Sequence, residues 1–373
     1  MSTFNSYLRK RGITEPWNLS PIPMGHFQQT IVIPAYSEFN YLPKTLDSIN
    51  QNKLDLLKST LVVVVVNNGI NSPEKVKKNN QLTFDNLKSK EYHFSLSMVD
   101  ATSSGIELPE KHTGVGLARK IGIDLALPYL KSPQSLIFCT DADTIVSPDY
   151  LSIVRQYFHS RNISAAVVGF RHLVSEDSKL NDAISLYEKF LKHTAKNMKD
   201  AGSPYGYVAM GSTMVCSAEA YCAVGGMPRK KATEDFYFLQ ELAKYCVVET
   251  IPEVLVYPSP RPISRVYLGT GYRMEQVEKG FNIQSLQYSE KSYSILKKWL
   301  KLGSNAWKIE ISKILNSTLT IHLNLSEFLT MEGIEEIWDK IQRNAPSESH
   351  FNEQFHRWFD GLKTIRFLKR FSS

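Results

Sequence analysis

Two aspartates one residue apart, Asp141 and Asp143, follow the apolar run at 136–139 and Thr140, with Ala142 between them. Carboxylates at the end of a buried strand can hold a hard divalent cation, which can bridge two phosphate oxygens. The same pair also suits a solvated turn. Four other groupings could do chemistry. Pro34, Tyr36 and Glu38 close another apolar run. There Tyr36 offers a ring to stack on a base and Glu38 an acceptor for a ribose or base edge; a plain strand-to-helix turn reads the same way. Gly114 and Gly116 open a helical pattern with Arg119 and Lys120 one turn in, which suits phosphate or close packing. The string lacks the third glycine of a dinucleotide fingerprint and the GK[ST] ending of a phosphate-binding loop. Glu234 and Asp235 follow Thr233, giving a capped helix start or a general base facing a cleft. Arg261 and Arg265 stand near four prolines between 252 and 262, as a lid over an anionic group would and as an ordinary basic loop would.

The elements around these residues alternate. Strand patterns at 30–34, 61–66, 93–99, 136–140 and 165–170 are separated by helical ones at 42–51, from Ser72-Pro73-Glu74 onward, at 114–127 and at 148–159. Such alternation predicts an α/β fold, a mostly parallel sheet with helices on both faces. Ligands then bind beyond the carboxyl ends of the strands. A long helix over 181–199, a glycine-rich stretch at 202–211 and a helix at 234–245 follow. Beyond residue 280 the pattern is helical, clearest at 327–343 and 351–368. The expected organisation is an N-terminal segment 1–28, a main domain 29–280 and a helical C-terminal extension 281–373.

Composition sets bounds. Of 373 residues, 42% are hydrophobic and 22% charged, which excludes a disordered or fibrous chain. The net charge of +7 suits phosphorylated ligands, anionic membranes or nucleic acid without choosing among them. The four cysteines form no CxxC pair, and the nine histidines form no metal-binding pair. No disulfide framework is implied, and a reducing compartment is expected. The start MSTFNSYLRKRG has no apolar signal region, and the longest aliphatic run, 61–66, falls far short of the roughly 18 residues that span a bilayer. A cytoplasmic protein is expected. Phe351, Phe355, Trp358, Phe359, Leu362, Ile365 and Leu368 recur at helical spacing beside Arg357, Lys363, Arg366, Lys369 and Arg370. That pattern fits a helix lying on the inner face of an anionic membrane, and equally one packed on its own domain.

Taken in order, the pieces resemble a family 2, GT-A-type (Rossmann-like) glycosyltransferase. The resemblance runs from about Thr30 to Gly271 and rests on IVIPAYSEFNYLPKTLDSI, GVGLARKIGIDLAL, TDADT, GSTMVCSAEAYCAVGGM and the Glu234-Asp235 pair. It implies a nucleoside-diphosphate sugar donor, a cation (Mn²⁺ or Mg²⁺), a glycan, lipid-linked or small-molecule acceptor, and no nucleic acid. By position, Pro34, Tyr36 and Glu38 match the nucleotide-holding stretch. Asp141 and Asp143, flanking Ala142, match the carboxylates around ribose, diphosphate and metal, with Asp143 the direct ligand. Arg119 matches an arginine near the nucleotide. Gly211 and Ser212 match the loop beneath the donor sugar. Asp235 matches the general base, and Glu234 a neighbour that positions the acceptor. Arg261 and Arg265 fall at a lid or acceptor contact. The implied reaction is inverting transfer of one sugar.

The chain also departs from the pattern. Asn67-Asn68 stands where the family commonly has a base-binding acid, and Asp100, ending the third strand, is a compensating candidate. A Gln-x-x-Arg-Trp string, the motif of processive synthases, occurs at Gln354-Phe355-His356-Arg357-Trp358, in the C-terminal extension and outside the stretch that carries the resemblance. A haloacid-dehalogenase-like phosphatase also uses Asp-x-Asp, but wants a threonine where Ile145 stands. A nucleotidyltransferase wants a glycine-rich basic loop where PAYSEFN stands. A non-catalytic nucleotide-sugar-binding or scaffold protein of the same fold is the remaining alternative.

Overall fold

The computed structural model describes residues 2–13, 15–263, 265–266 and 268–372. The chain divides into two compact units, Met1–Ser185 with Ala209–Phe281 and Leu186–Val208 with Asn282–Ser373. In the first, eight strands among the described residues form one sheet: β1 (Gln29–Ala35), β2 (Thr60–Asn67), β3 (Ser95–Ala101), β4 (Leu136–Cys139), β5 (Ile145–Val146), β6 (Ala165–Phe170), β7 (Met214–Ser217) and β8 (Val248–Tyr257). Their order is β3-β2-β1-β4-β7-β6-β8-β5. The pairs β1–β2, β1–β4, β2–β3 and β6–β8 are parallel. β7 runs antiparallel between β4 and β6, and β5 antiparallel to β8. The expected α/β class, a mostly parallel sheet flanked by helices, is what the chain forms.

Every residue of β1, β2 and β4 is buried. Strands covered on both faces read as unbroken Val/Ile/Leu runs, which is why β2 is TLVVVVVN. β1 continues one residue past Pro34, which was expected to end the strand. The missing N–H is tolerated because the β4 ladder already stops at Val32↔Cys139.

The helices with this sheet are α1 (Ser2–Arg11), α2 (Leu42–Ile49), α3 (Leu54–Leu57), α4 (Glu74–Ser89), α5 (Val115–Ala126), α6 (Tyr150–Arg161), the start of α7 (Ser178–Asp200), α8 (Ala218–Ala223), α9 (Glu234–Tyr245) and α10 (Thr270–Glu278). α5 lies directly on β1 and β2. A Cβ at Gly122 would stand 2.6 Å from Val32 Cγ1 and 2.8 Å from Val65 Cγ2, so glycine sets that approach. Ser72 does not cap α4. Its hydroxyl accepts from Gly69 N (3.1 Å), and the helix begins after Pro73.

The second unit holds the rest of α7 and the helices α11 (Glu290–Ser304), α12 (Ile311–Thr318), α13 (Leu325–Met331), α14 (Ile334–Asn344), α15 (Glu348–Trp358) and α16 (Gly361–Ser372). Each of the two long C-terminal patterns is thus a pair of helices. Gly333, at φ 78°, separates α13 from α14. Asp360 separates α15 from α16, its carboxylate accepting from Lys363 N (3.1 Å) as an N-cap does. The apolar stripe faces inward. Phe351, Phe355, Phe359 and Leu368 are buried, and Trp299 meets Phe355 and Phe359 at ring separations of 5.5 and 5.8 Å. Each such side chain contributes about 1.5–3 kcal/mol of transfer free energy. Trp358, Leu362 and Ile365 of the same pattern are half-buried. Among the described residues no helix is long and apolar enough to cross one.

Candidate active site

β1 and β2 run in parallel register to Ala35↔Val66, and β4 ends beside β1 at Cys139. Their carboxyl ends bring together the 36–41 loop, Asn67-Asn68 and the 140–144 turn, the edge where an open parallel sheet takes ligands. The Asp-x-Asp turn closes on itself through Thr144 N to Asp141 O (3.2 Å). α2 fixes it from below: Thr45 Oγ1 donates to Ala142 O (2.9 Å), and Ser48 Oγ accepts from Val146 N (3.1 Å).

Arg119 on α5 is fully buried, and its guanidinium donates from Nη1 to Glu234 and from Nη2 to Asp141. A Cβ on Gly211 would overlap that guanidinium, so the loop opening β7 is glycine where it crosses. Burial pushes the Glu234 carboxyl up to about 8, against the pull of Arg119. Glu234 thus faces Arg119 inside the protein rather than an open cleft. Asp235 is half-buried and accepts from Phe236 N at 2.7 Å. Thr233 does not cap α9. It sits at φ 63° and turns its hydroxyl to Ala232 O (2.6 Å).

Gly114 and Gly116 serve close packing. A Cβ on Gly116 would stand 2.6 Å from the Pro228 and Lys230 carbonyl oxygens, and one on Gly114 2.6 Å from Lys231 Cα. The loop leading into α9 therefore lies against the start of α5.

A second cluster forms over β1. Arg261 donates to Asp143 Oδ2 from Nε (3.1 Å) and Nη2 (2.5 Å), and to Glu38 Oε2 at 2.9 Å. Its guanidinium lies 3.6 Å from the centre of the Tyr41 ring. Arg265 takes the other Glu38 oxygen at 2.7 Å and stands 5.3 Å over Tyr36. Burial pushes the Glu38 carboxyl up, while Arg265 and then Arg261 pull it down.

Asn67, Asn68 and Asp100 bond to neighbouring groups of the protein. Asn67 Nδ2 donates to Ala35 O (3.2 Å) and Val65 O (3.0 Å), and Asn68 Nδ2 to Gly69 O (3.2 Å). Asp100 holds the 102–103 turn through both residues' N–H groups and hydroxyls. Hydrogen bonds from Ser103 and Thr102 outweigh the burial that would raise its carboxyl and leave it below the usual range. Three residues missed in the sequence hold the 36–41 loop and its arginine. Asn80 accepts from Ser37 N (2.9 Å) and donates to Asn67 O and Asn68 Oδ1 (3.1 and 3.0 Å), Asn79 accepts from Phe39 N (3.0 Å), and Tyr41 underlies Arg261. Two adjacent asparagines inside α4 were the signal, since asparagine is a poor helix-interior residue.

Whether a cation fits turns on the donors. Among the described residues no three His, Cys, Asp or Glu side chains converge on one point. Asp141 and Asp143 offer hard carboxylate oxygens. The hydroxyls of Thr140, Thr144 and Ser212 are buried without partners, the first two flanking the Asp-x-Asp and the third beside Gly211. This chemistry fits Mg²⁺ or Mn²⁺ completed by a diphosphate, and not a cation enclosed by protein alone.

No protein-family pattern matches the sequence, and no curated protein matches it. The fold is similar to solved glycosyltransferase structures. One is S. aureus TarS residues 1–349 in complex with UDP-GlcNAc, at 11% identity over 90% of this chain and 90% of that one, with a TM-score of 0.45. Another is the mannosyltransferase PcManGT from Pyrobaculum calidifontis in complex with GDP-Man and Mn²⁺, at 16% identity over 96% and 93%, with a TM-score of 0.43.

Proposed function

We propose that the chain transfers one sugar from a nucleoside-diphosphate sugar to a hydroxyl of a glycan, lipid-linked or small-molecule acceptor, inverting the anomeric centre. The observation that carries this reading is the Arg119 bridge. One buried guanidinium joins Asp141, at the end of β4, to Glu234, at the start of α9, and so holds Asp235 beside the Asp-x-Asp turn. Asp235 accepts the proton of the acceptor hydroxyl as its oxygen attacks the anomeric carbon from the face opposite the diphosphate. The nucleoside diphosphate leaves with the bonding pair. Glu234 orients Arg119, and through it Asp141. Tyr36 and Glu38 meet the nucleotide, and Gly211 and Ser212 form the floor beneath the sugar. Asp143, with Asp141, would hold the cation, which when bound supplies positive charge to the diphosphate.

A thermal-shift panel of UDP-, GDP- and dTDP-sugars, with and without Mn²⁺, tests this. At 100 times its dissociation constant a ligand adds roughly 2.7 kcal/mol. One nucleotide is expected to raise the melting temperature only with Mn²⁺, and Asp143→Asn to lose that rise. A folded protein that responds to no nucleotide would sink the donor site and favour the scaffold reading.

Arg261 stands on the carboxylate that the cation needs, so the two compete. Removing one positive charge at this range is worth about 1–2 kcal/mol. Arg261→Ala is therefore expected to bind Mn²⁺ about tenfold more tightly than wild type without donor, read from the free Mn²⁺ electron-spin signal. Weaker or equal binding would show that Arg261 does not shield Asp143.

A further inference from the structure

The first unit contains a second buried charge cluster, separate from the Arg119 bridge. The Asp124 carboxylate is fully buried on α5 and accepts four donors. They are Tyr7 Oη (2.9 Å), Tyr221 Oη (2.8 Å), Ile13 N (2.9 Å) and Lys120 Nζ (3.0 Å). Lys120 Nζ also donates to Tyr7 Oη at 2.5 Å and lies 5.0 Å from the centre of its ring. Three separate stretches, α1 with its following loop, α5 and α8, thus end on one carboxylate.

Burying a lysine and an aspartate costs several kcal/mol per ion before they pair, and an apolar cluster of equal volume is often as stable. Stability alone does not account for the arrangement. Its location does. Gly226 stands at φ 77°, and a Cβ there would overlap the Tyr7 hydroxyl and lie 2.9 Å from Lys120 Nζ. Gly226 N donates to Tyr221 O (2.9 Å). The loop that starts at Gly226 next crosses Gly116 and ends at Glu234 and Asp235. Lys120 is also the residue after Arg119.

We infer that Tyr7, Lys120, Asp124 and Tyr221 are positioning residues: they clamp the root of the 226–233 loop against α5 and so set where Asp235 stands. The inference rests on the transferase reading for its consequence, and on geometry alone for the clamp. It makes α1 a working part of the site although it lies far from it in sequence.

The test replaces the ion pair by apolar residues of similar size, Lys120→Met with Asp124→Leu, in the full chain. Two readouts are taken: amide hydrogen exchange across the chain, and nucleoside diphosphate release from UDP-, GDP- and dTDP-sugars with Mn²⁺, water taking the sugar in place of the acceptor hydroxyl. Exchange at 226–236 is expected to rise about tenfold while β1 and β2 stay protected. The kcat is expected to fall about tenfold with the donor KM within twofold. Should that pair of changes prevent folding, Tyr7→Phe carries the same readouts with an expected effect of about threefold. Unchanged exchange at 226–236, or a rise spread evenly over the sheet, overturns the clamp. A local rise in exchange with unchanged kcat overturns its role in placing Asp235. If wild type releases nucleotide from no donor, the transferase reading fails, and the exchange readout still decides the clamp.

Discussion

Asp235→Asn is expected to lower the rate of sugar transfer by about 10²–10⁴-fold, the range over which a positioned general base acts. The substitution preserves shape, and the bond from Phe236 N at 2.7 Å can still be accepted by the amide oxygen. Donor affinity is expected to stay within about twofold, because the lost interaction belongs to the transition state and not to donor binding. Steady-state kinetics with saturating donor, beside a donor titration followed by thermal shift, separate the two. A variant retaining more than a tenth of the wild-type rate would remove Asp235 from the role of base. Glu234→Gln is not an equivalent change, because it disturbs Arg119 and with it Asp141.

Arg119→Met is expected to be the most destabilising single change in the site. It leaves Glu234 without its cation in the interior and Asp141 without its partner. Removing one member of a buried ionic set costs about 3–5 kcal/mol. The loss should depend on pH with a definite sign. The folded Glu234 carboxyl already sits near 8, above its ordinary 4.5, because burial raises it more than Arg119 lowers it. Without Arg119 it rises further. A folded state that binds a proton more tightly than the unfolded one gains stability as pH falls through the folded value, and holds all of it below the unfolded value. Below about pH 7 the carboxyl is protonated in both folded proteins, so the gap between variant and wild type is expected to stay flat from pH 5 to pH 7 and to widen as pH rises through and above about 8, in paired urea melts. A gap that does not widen above pH 8 would mean that Glu234 does not carry the penalty. Adding Glu234→Gln to the variant should recover part of the loss above pH 8 and little at pH 5.

The parts of this molecule legible in its sequence are those whose signal is local. The aliphatic run of β2 reads as a doubly covered strand because burial on both faces demands that composition in consecutive positions. The residues of β6 match the expected span at both ends. The Asp-x-Asp turn shows because an apolar run stops and two acids follow at once. What stays hidden depends on partners far along the chain. Arg119 and Glu234 are 115 residues apart, and Arg261 and Glu38 are 223 apart. No periodicity announces a bond of that kind. The sequence therefore offers Glu234 as a group facing an acceptor, while the fold turns it inward. The bonds of Asn67 and Asn68 are hidden for a related reason: their side chains donate to the carbonyls of Ala35, Val65 and Gly69, which the folded sheet brings within reach. The paired C-terminal helices were read as single ones because a heptad-like apolar pattern runs on through Gly333 and Asp360, and only the breaks in backbone direction stop it.

The path of the chain between its two units has a consequence for how the protein is made. The polypeptide leaves the first unit after Ser185, returns at Ala209 and leaves again after Phe281. The 186–208 stretch therefore emerges from the ribosome long before the helices that cover it. Tyr205 waits for the carbonyl of His356, which accepts its hydroxyl at 2.7 Å, and Thr194 waits for Tyr293 at 3.3 Å. Until then a nascent chain exposes Tyr187, Ala195, Met198 and Tyr205, all buried in the finished fold. A shortened version ending near residue 281 would carry that exposure permanently. The sheet-bearing part is thus not separable by a single cut, because the chain enters it twice.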